Sequence, residues 1–336
     1  MKKALLRLKK TGIGLVVAVI VIIPGSMWLW QDRPSVAEIS LRTAETTETG
    51  ADGVKVTWLG VTTLLFDDGE TQILIDGFFS RPTIFDVIFR RPIASDAASI
   101  NFALDEFRMR RLAAVIPVHS HYDHAMDVGA IANRSSASVV GTESTANIAR
   151  GAGVPAEQII LATNRDTLQF GEFSVTLITS RHVPNGFGDR HFLAGFMSEP
   201  LKQPADFSQW REGGSWSVLI SHPLGSALVQ GSAGFIEDAL EDIKVDVVMM
   251  SVAGLQSQGR KYASDYWRQI VESTGAERVY IIHHDDFTQP LGRTELFPTS
   301  LDNVVETVRW LKVLADSGEK TIEIIRPIFG EPAVLY

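Results

Sequence analysis

"VIPVHSHYDHAMDVGA" (residues 115–130) places His119, His121, Asp123 and His124 within six positions, directly after an apolar run, in a chain with only eight histidines. The run "AAVIPV" (113–118) reads as a buried strand that stops at His119. Side chains two apart on a strand share a face, so His119 and His121 can converge on one ion at the strand end. Asp123 and His124 lie on the following turn, where they can serve a second ion. Imidazole and carboxylate without thiolate suit zinc, or another first-row divalent metal, in an open catalytic site. The plain alternative is three unrelated loop histidines, and their spacing after a buried strand argues against it.

The rest of the composition narrows the field. Of 336 residues, 45% are hydrophobic and 21% charged, enough for a large core. The net charge is −9, although Lys2, Lys3, Arg7, Lys9 and Lys10 occupy the first ten positions without an acid. A body that acidic is a poor partner for nucleic acid, which is bound by neutralising phosphates. There is no cysteine, which excludes disulfides, thiolate metal sites and cysteine nucleophiles.

After that basic flank (1–10) comes "TGIGLVVAVIVIIPGSMWLW" (11–30), twenty residues without a charge. That length suits a bilayer-spanning helix, and Trp28 and Trp30 stand at its far end as interfacial aromatics do. The expectation is one transmembrane anchor in the cell inner membrane, with the basic end cytoplasmic and the body on the periplasmic side. A cleaved signal peptide ending at Ser35-Val36-Ala37 is the competing reading. Residues 31–52, polar and unpatterned, read as a tether, and 53–336 as one domain. Nothing in the sequence fixes an oligomeric state.

Within the domain, "VKVTWLG", "TTLLFDD" and "QILIDGF" read as a meander of strands. Helices are expected at 99–112, 125–134, 143–150, 233–243, 262–274 and 301–316. Further strands are expected at 173–180, 191–197, 215–221 and 226–231, and in "VDVVMMS", "RVYIIHH" and "TIEIIRP". Strands first in a meander and then alternating with helices point to an α/β (α+β) protein, two mixed sheets with helices outside.

The sequence "HSHYDH" resembles the His-x-His-x-Asp-His signature of the metallo-β-lactamase superfamily, and the order of later motifs resembles it too. "ILIDGFF" (73–79) is similar to the family's early strand ending in an aspartate, here Asp76. "ITSRHVPNG" (178–186) supplies His182 where the family keeps its next metal histidine. "YIIHHDDF" (280–287) resembles the last histidine motif of the branch containing ascorbate-phosphate lactonases and the phospholipase D acting on N-acylated phosphatidylethanolamine, which makes His283 the ligand. The resemblance implies a four-layer αββα sandwich. It also implies one ion on His119, His121 and His182, and a second on Asp123, His124 and His283, activating a water near Asp123.

One position departs from that pattern. "ALVQGSAGF" (227–235) has Ser232 where the family usually has a bridging aspartate. A hydroxyl is a weak zinc ligand, so the expectation is one tight Zn2+ and a weaker second ion, with Mn2+ or Fe2+ as alternatives. Serine also suits the N-cap of the helix expected from 233. His191, His222 and His284 match no motif and read as structural. Asp285 and Asp286 are equally suited to supporting a histidine or a turn. The segment 77–99, rich in Phe and Arg, reads either as a loop packed on the core or as a lid whose arginines, Arg81, Arg90 and Arg91, meet a lipid-like or small anionic substrate, Arg90 and Arg91 foremost.

The resulting expectation is a membrane-anchored metal-dependent hydrolase acting on a phosphodiester, lactone or other ester bond. Its rivals are a degenerate, non-catalytic relative marked by Ser232, and a metal-bound oxidoreductase or nuclease.

Overall fold

A computed structural model describes residues 32–45, 53–187, 190–318 and 320–336. Two sheets stack face to face. The first has seven strands, in the spatial order Pro332–Val334, Lys55–Trp58, Leu64–Asp67, Gln72–Ile75, Leu112–Ile116, Ser138–Gly141 and Ile159–Leu161. The second has eight, in the order Arg42–Thr43, Glu323–Arg326, Arg278–Ile282, Val247–Ser251, Gly225–Gln230, Ser215–His222, Phe173–Ser180 and Asp166–Phe170.

Strand parity explains how the layers form. Leu64, Phe66, Ile73, Ile75, Ala114 and Ile116 of the first sheet meet Val175, Leu177, Val218, Val229, Met249 and Ile282 of the second in a shared inner core. The intervening residues Leu65, Leu74 and Val115 face outward onto a core with Ile100, Ile131 and Ile148 from the helices Ala97–Glu106, Val128–Ser135 and Glu143–Gly151. Leu228, Val248, Met250, Val279 and Ile281 face the other way, onto Leu255, Trp267, Val308 and Leu311 from the helices Leu255–Trp267 and Val304–Ser317. Strands covered on both faces carry continuous apolar runs instead of alternating ones, and "QILI" and "VVMM" are such runs. The expected four-layer αββα sandwich is the observed architecture.

Several local expectations are corrected. The segment 233–243 forms turns and no helix. Asp238 is in the left-handed region (φ 61°) and gives its backbone N–H to Gln269 Oε1 at 2.9 Å, which interrupts any helical ladder there. Of 191–197, only His191 is in a strand, the two-residue Arg190–His191 paired with Gly186–Phe187. Part of the expected 31–52 tether is pinned to the body. Arg42–Thr43 pairs parallel to Glu323–Arg326, Ile39 is buried, and Arg33 Nη1 contacts Asp286 Oδ2 at 2.6 Å. Short polarity patterns hid this, because the edge strand has only two residues. The anchor expected at 11–30 lies outside the described residues, and among the described residues no helix is long and apolar enough to cross a membrane.

The fold gathers strand ends at one rim of the sandwich. Ile75 pairs in parallel with Ile116, Gln230 with Met250, and Ser251 with Ile282. Their chain directions therefore deliver Asp76, the 117–121 loop, Ser232 and His283 to the same edge.

Candidate metal centre

The strand before the first motif ends at Ile116, two residues earlier than its apolar run suggests. His119 and His121 are therefore loop residues. Ser120 N–H bonds Glu212 O at 2.8 Å, and Trp216 N–H bonds Val118 O at 2.8 Å, which ties this loop to the opposite sheet. His121 then precedes the short helix Tyr122–Ala125, which carries Asp123 and His124. His182 comes after the strand Phe173–Ser180, and His283 after Arg278–Ile282.

These six residues come together as two adjacent triads. The ligand atoms of His119, His121 and His182 all lie within 4.8 Å of one another, as do those of Asp123, His124 and His283. The His119 and His124 rings, one from each triad, have centroids 3.9 Å apart. Asp123 Oδ2 is 3.4 Å from His124 Nε2 and 3.7 Å from His283 Nε2.

Hydrogen bonds decide which nitrogen each histidine offers. His182 donates from Nδ1 to Val183 O at 2.7 Å, leaving the Nε2 lone pair free. His121 donates from Nε2 to Leu193 O at 3.3 Å, leaving Nδ1. His124 donates from Nδ1 to Asp76 Oδ2 at 2.7 Å, leaving Nε2. His119 Nε2 lies 3.0 Å from the His121 Nδ1 lone pair, while His119 Nδ1 and His283 Nδ1 are buried without a partner. Imidazole nitrogens and a carboxylate gathered this closely in a buried site are the ligand chemistry of a divalent ion. The donor set thus fits a divalent ion in each triad.

Titration behaviour agrees. Burial, reinforced by neighbouring histidines, pushes His119 well below the usual imidazole value. Burial and the adjacent His182 lower His121 to about 4. Burial is also the main cause that brings His182 to about 4. All three are neutral near pH 7, as a metal ligand must be. Burial works against the Asp123 carboxylate, but His124 and His283 outweigh it and hold Asp123 below the ordinary carboxylate range. Burial likewise pushes His124 down, and Asp123 and Asp76 overcome it and raise it.

The supporting residues are unusually constrained. Asp76 is fully buried, accepts from Val118 N–H at 2.8 Å, and bonds Thr62 Oγ1 as well as His124. Asp76, Val61 and His283 all have φ between 51° and 59°. A β-branched residue such as Val61 rarely adopts that region, and here contacts over-determine it. Its N–H bonds Asp285 Oδ1 at 2.7 Å, and its carbonyl accepts His283 N–H at 2.7 Å and Trp58 Nε1 at 2.9 Å. Backbone held this way beside a site is a common form of preorganisation.

The structure also places the remaining residues singled out in the sequence. Ser232 caps no helix; its Oγ accepts from Val183 N–H at 2.9 Å. Asp285 pairs with buried Arg81 at 3.1 Å, and Asp286 with Arg33 and Thr288, so neither supports a ligand histidine directly. His284 is buried and stacks on Trp58, ring centroids 4.5 Å apart. His222 lies against Phe173 and Asp68, away from the triads.

Arg90 and Arg91 line no part of the site. Arg90 is exposed and paired with Asp206 at 3.0 Å, and Arg91 lies 3.7 Å from Asp86. The lid reading gains no support from them, because Arg90 turns onto Asp206 and Ser208, and Arg91 back onto Asp86 of the helix Ile84–Ile88. The cavity over the triads, about 240 Å³, is lined instead by Tyr122, Asn185, Leu193, Ser251 and Phe287 along with the six ligands. Sequence patterns missed these, and also Thr62. Tyr122, Asn185 and Phe287 sat inside the quoted motifs "HSHYDH", "ITSRHVPNG" and "YIIHHDDF" without being given a role.

The comparisons with known proteins concur. No protein-family model matches the chain. A UPF0173 metal-dependent hydrolase from Heliobacterium modesticaldum is 29% identical over 121 residues, which is 36% of this chain and 43% of that one. A UPF0173 metal-dependent hydrolase from Pyrobaculum islandicum is 21% identical over 276 residues, covering 81% of this chain and all of that one. Among solved structures, an isothiocyanate hydrolase from Delia radicum gut bacteria superposes with a TM-score of 0.51 at 14% identity, covering 83% of this chain and 98% of that one. The sandwich, the "HSHYDH" loop and its ordered partners are all in place, as the resemblance to the metallo-β-lactamase superfamily implies.

Proposed function

We propose that the chain is a metal-dependent hydrolase whose two triads hold divalent ions, zinc first among them, and that its substrate is a lactone or other carboxylic ester. The observation that carries this is the preset donor pattern. Three histidines each spend one nitrogen on a backbone carbonyl or on Asp76 and turn the other into a triad, His121 and His182 into the first and His124 into the second. A divalent cation supplies Lewis-acid activation of water and of the scissile group.

The chain's own residues do the rest. Asp123 is the only carboxylate lining the cavity among the described residues and stays ionised, so it accepts a hydrogen bond from the attacking water and orients it. Leu193, Val183 and Phe287 make the wall apolar and exclude bulk water. No lysine or arginine lines the cavity among the described residues. That favours a neutral ester or lactone over a phosphodiester, whose charge a side-chain cation would ordinarily meet. Retention of all six ligand residues counts against a decayed relative.

The same reading includes an inner-membrane anchor at 11–30. Asp32 O accepts from Thr299 N–H at 3.0 Å, and Arg33 bonds Asp286 Oδ2 and Leu296 O. The first described residues after that segment are thus fixed to the body at Thr299, Asp286 and Leu296.

Full-length protein stripped with a chelator and resupplied with zinc tests the function. Hydrolysis of ester or lactone probes should appear only with metal and vanish in His121→Ala. Hydrolysis that persists in the stripped protein would refute the assignment.

A further inference from the structure

Ser232 stands where the resemblance implies an aspartate, within the loop "QGSAG" (230–234). That loop is wedged between the two histidine-bearing segments. A side chain on Gly231 would collide with Val118, next to His119, and one on Gly234 would collide with the backbone of Arg181 and His182. Only glycine permits so close an approach of backbone.

Gln230, fully buried, organises the loop. Its Oε1 accepts from Ser217 Oγ at 2.5 Å, and its Nε2 is shared among Ser180 Oγ at 3.1 Å, Ser232 O at 2.9 Å and Gly234 O at 2.7 Å. The strand end before His182 and the loop carrying Ser232 are thereby locked together through one neutral side chain.

Ser232 completes the linkage. Its Oγ accepts Val183 N–H at 2.9 Å, while Val183 O accepts His182 Nδ1–H at 2.7 Å. Residue 183 is thus held at both ends, and its carbonyl selects the His182 tautomer whose Nε2 carries the lone pair. We infer that Ser232 is a positioning residue for His182, and that the "QGSAG" loop fixes the first triad by packing and neutral hydrogen bonds. This rests on the metal-site reading for its purpose, but not for its geometry.

A consequence is a division of labour. The Ser232 hydroxyl reaches His182 through the Val183 backbone. Among the described residues it makes no hydrogen bond to Asp123, His124 or His283. Loss of the Ser232 hydroxyl should therefore damage one triad and spare the other. Supporting hydrogen bonds around a metal histidine typically change metal affinity by about 10- to 100-fold when removed.

The test uses full-length protein with Ser232→Ala, Ser232→Cys and Ser232→Thr. Cysteine keeps the volume but accepts hydrogen bonds weakly, and threonine keeps the hydroxyl. In the metal-free protein, nitrogen NMR of His182 should show Nδ1 protonated in the parent and in Ser232→Thr. The Ala and Cys variants should show a mixture of tautomers. Zinc competition titrations should show roughly tenfold weaker binding at the first site in Ala and Cys, with the second site unchanged. Unchanged tautomer and affinity in these variants would overturn the inference. So would equal weakening of both sites with a lowered Tm, which marks a general packing role. If Ser232→Ala does not fold, the Cys and Thr pair decides alone. A parent that binds no zinc would overturn the functional reading instead, and the tautomer comparison would still stand or fall by itself.

Discussion

Asp76→Asn removes one charge and two lone pairs while keeping shape, and its geometry forces a change of tautomer at His124. Asp76 Oδ1 accepts from Val118 N–H at 2.8 Å, so the asparagine oxygen must occupy that side. Its amide nitrogen then takes the place of Oδ2, facing His124 Nδ1 at 2.7 Å. Two donors cannot face each other, so His124 must present an Nδ1 lone pair and carry its proton on Nε2. That is the nitrogen it needs for the ion. Asparagine tolerates the left-handed backbone that Asp76 adopts at φ 59°, so backbone strain does not confuse the result. Losing a hydrogen bond to a buried charged group costs about 1.5–3 kcal/mol of stability. The forced tautomer should weaken the Asp123–His124–His283 site about 10- to 100-fold and leave the His119–His121–His182 site nearly intact. Competition with a chromophoric chelator, carried to saturation, resolves the two steps. Two unchanged binding steps in a folded Asp76→Asn protein would refute the tautomer argument.

Three further outcomes are expected. Arg81→Met strands the buried Asp285 carboxylate and should cost about 3–5 kcal/mol in denaturant unfolding, since Arg81 and Asp285 are both buried; a loss below about 1 kcal/mol would contradict the pairing. Arg90→Ala with Arg91→Ala should leave KM for any substrate found unchanged, because both arginines lie outside the cavity lining; a raised KM would restore them as substrate contacts. Buried His284 is held at about 4, mainly by burial, below its unfolded value, so the unfolded chain binds the extra proton. Stability of the metal-free protein should therefore fall as pH drops from about 6.5 toward 4, and His284→Phe should flatten that fall in thermal melts; an equally steep fall in the variant would exclude His284 as a contributor.

The sequence made the site easier to read than its surroundings. His119, His121, Asp123 and His124 were legible because four metal-competent side chains in six residues is a local signal, and His182 and His283 because the order of their motifs resembles that of a known superfamily. The inner strands were legible because burial on both faces leaves an unbroken apolar run. What stayed hidden depends on contacts distant in sequence. The helix expected after Ser232 fails because Asp238 bonds Gln269 across the fold. The tether fails because a two-residue edge strand and a single arginine pin it. Arg90 and Arg91 looked available because their acidic partners, Asp206 and Asp86, cannot be paired with them from composition. The exchange of a bridging carboxylate for a serine was visible, but its meaning was not, because Ser232 acts through the Val183 backbone.

The central claim is that the two triads hold metal. Crystals of the full-length protein grown with zinc, with data collected at the zinc absorption edge, test it most directly. The account predicts a strong anomalous peak at about 2.0–2.1 Å from His119 Nε2, His121 Nδ1 and His182 Nε2, and a second among Asp123, His124 and His283 whose occupancy rises with added zinc. Saturating zinc with no peak at either triad would contradict it.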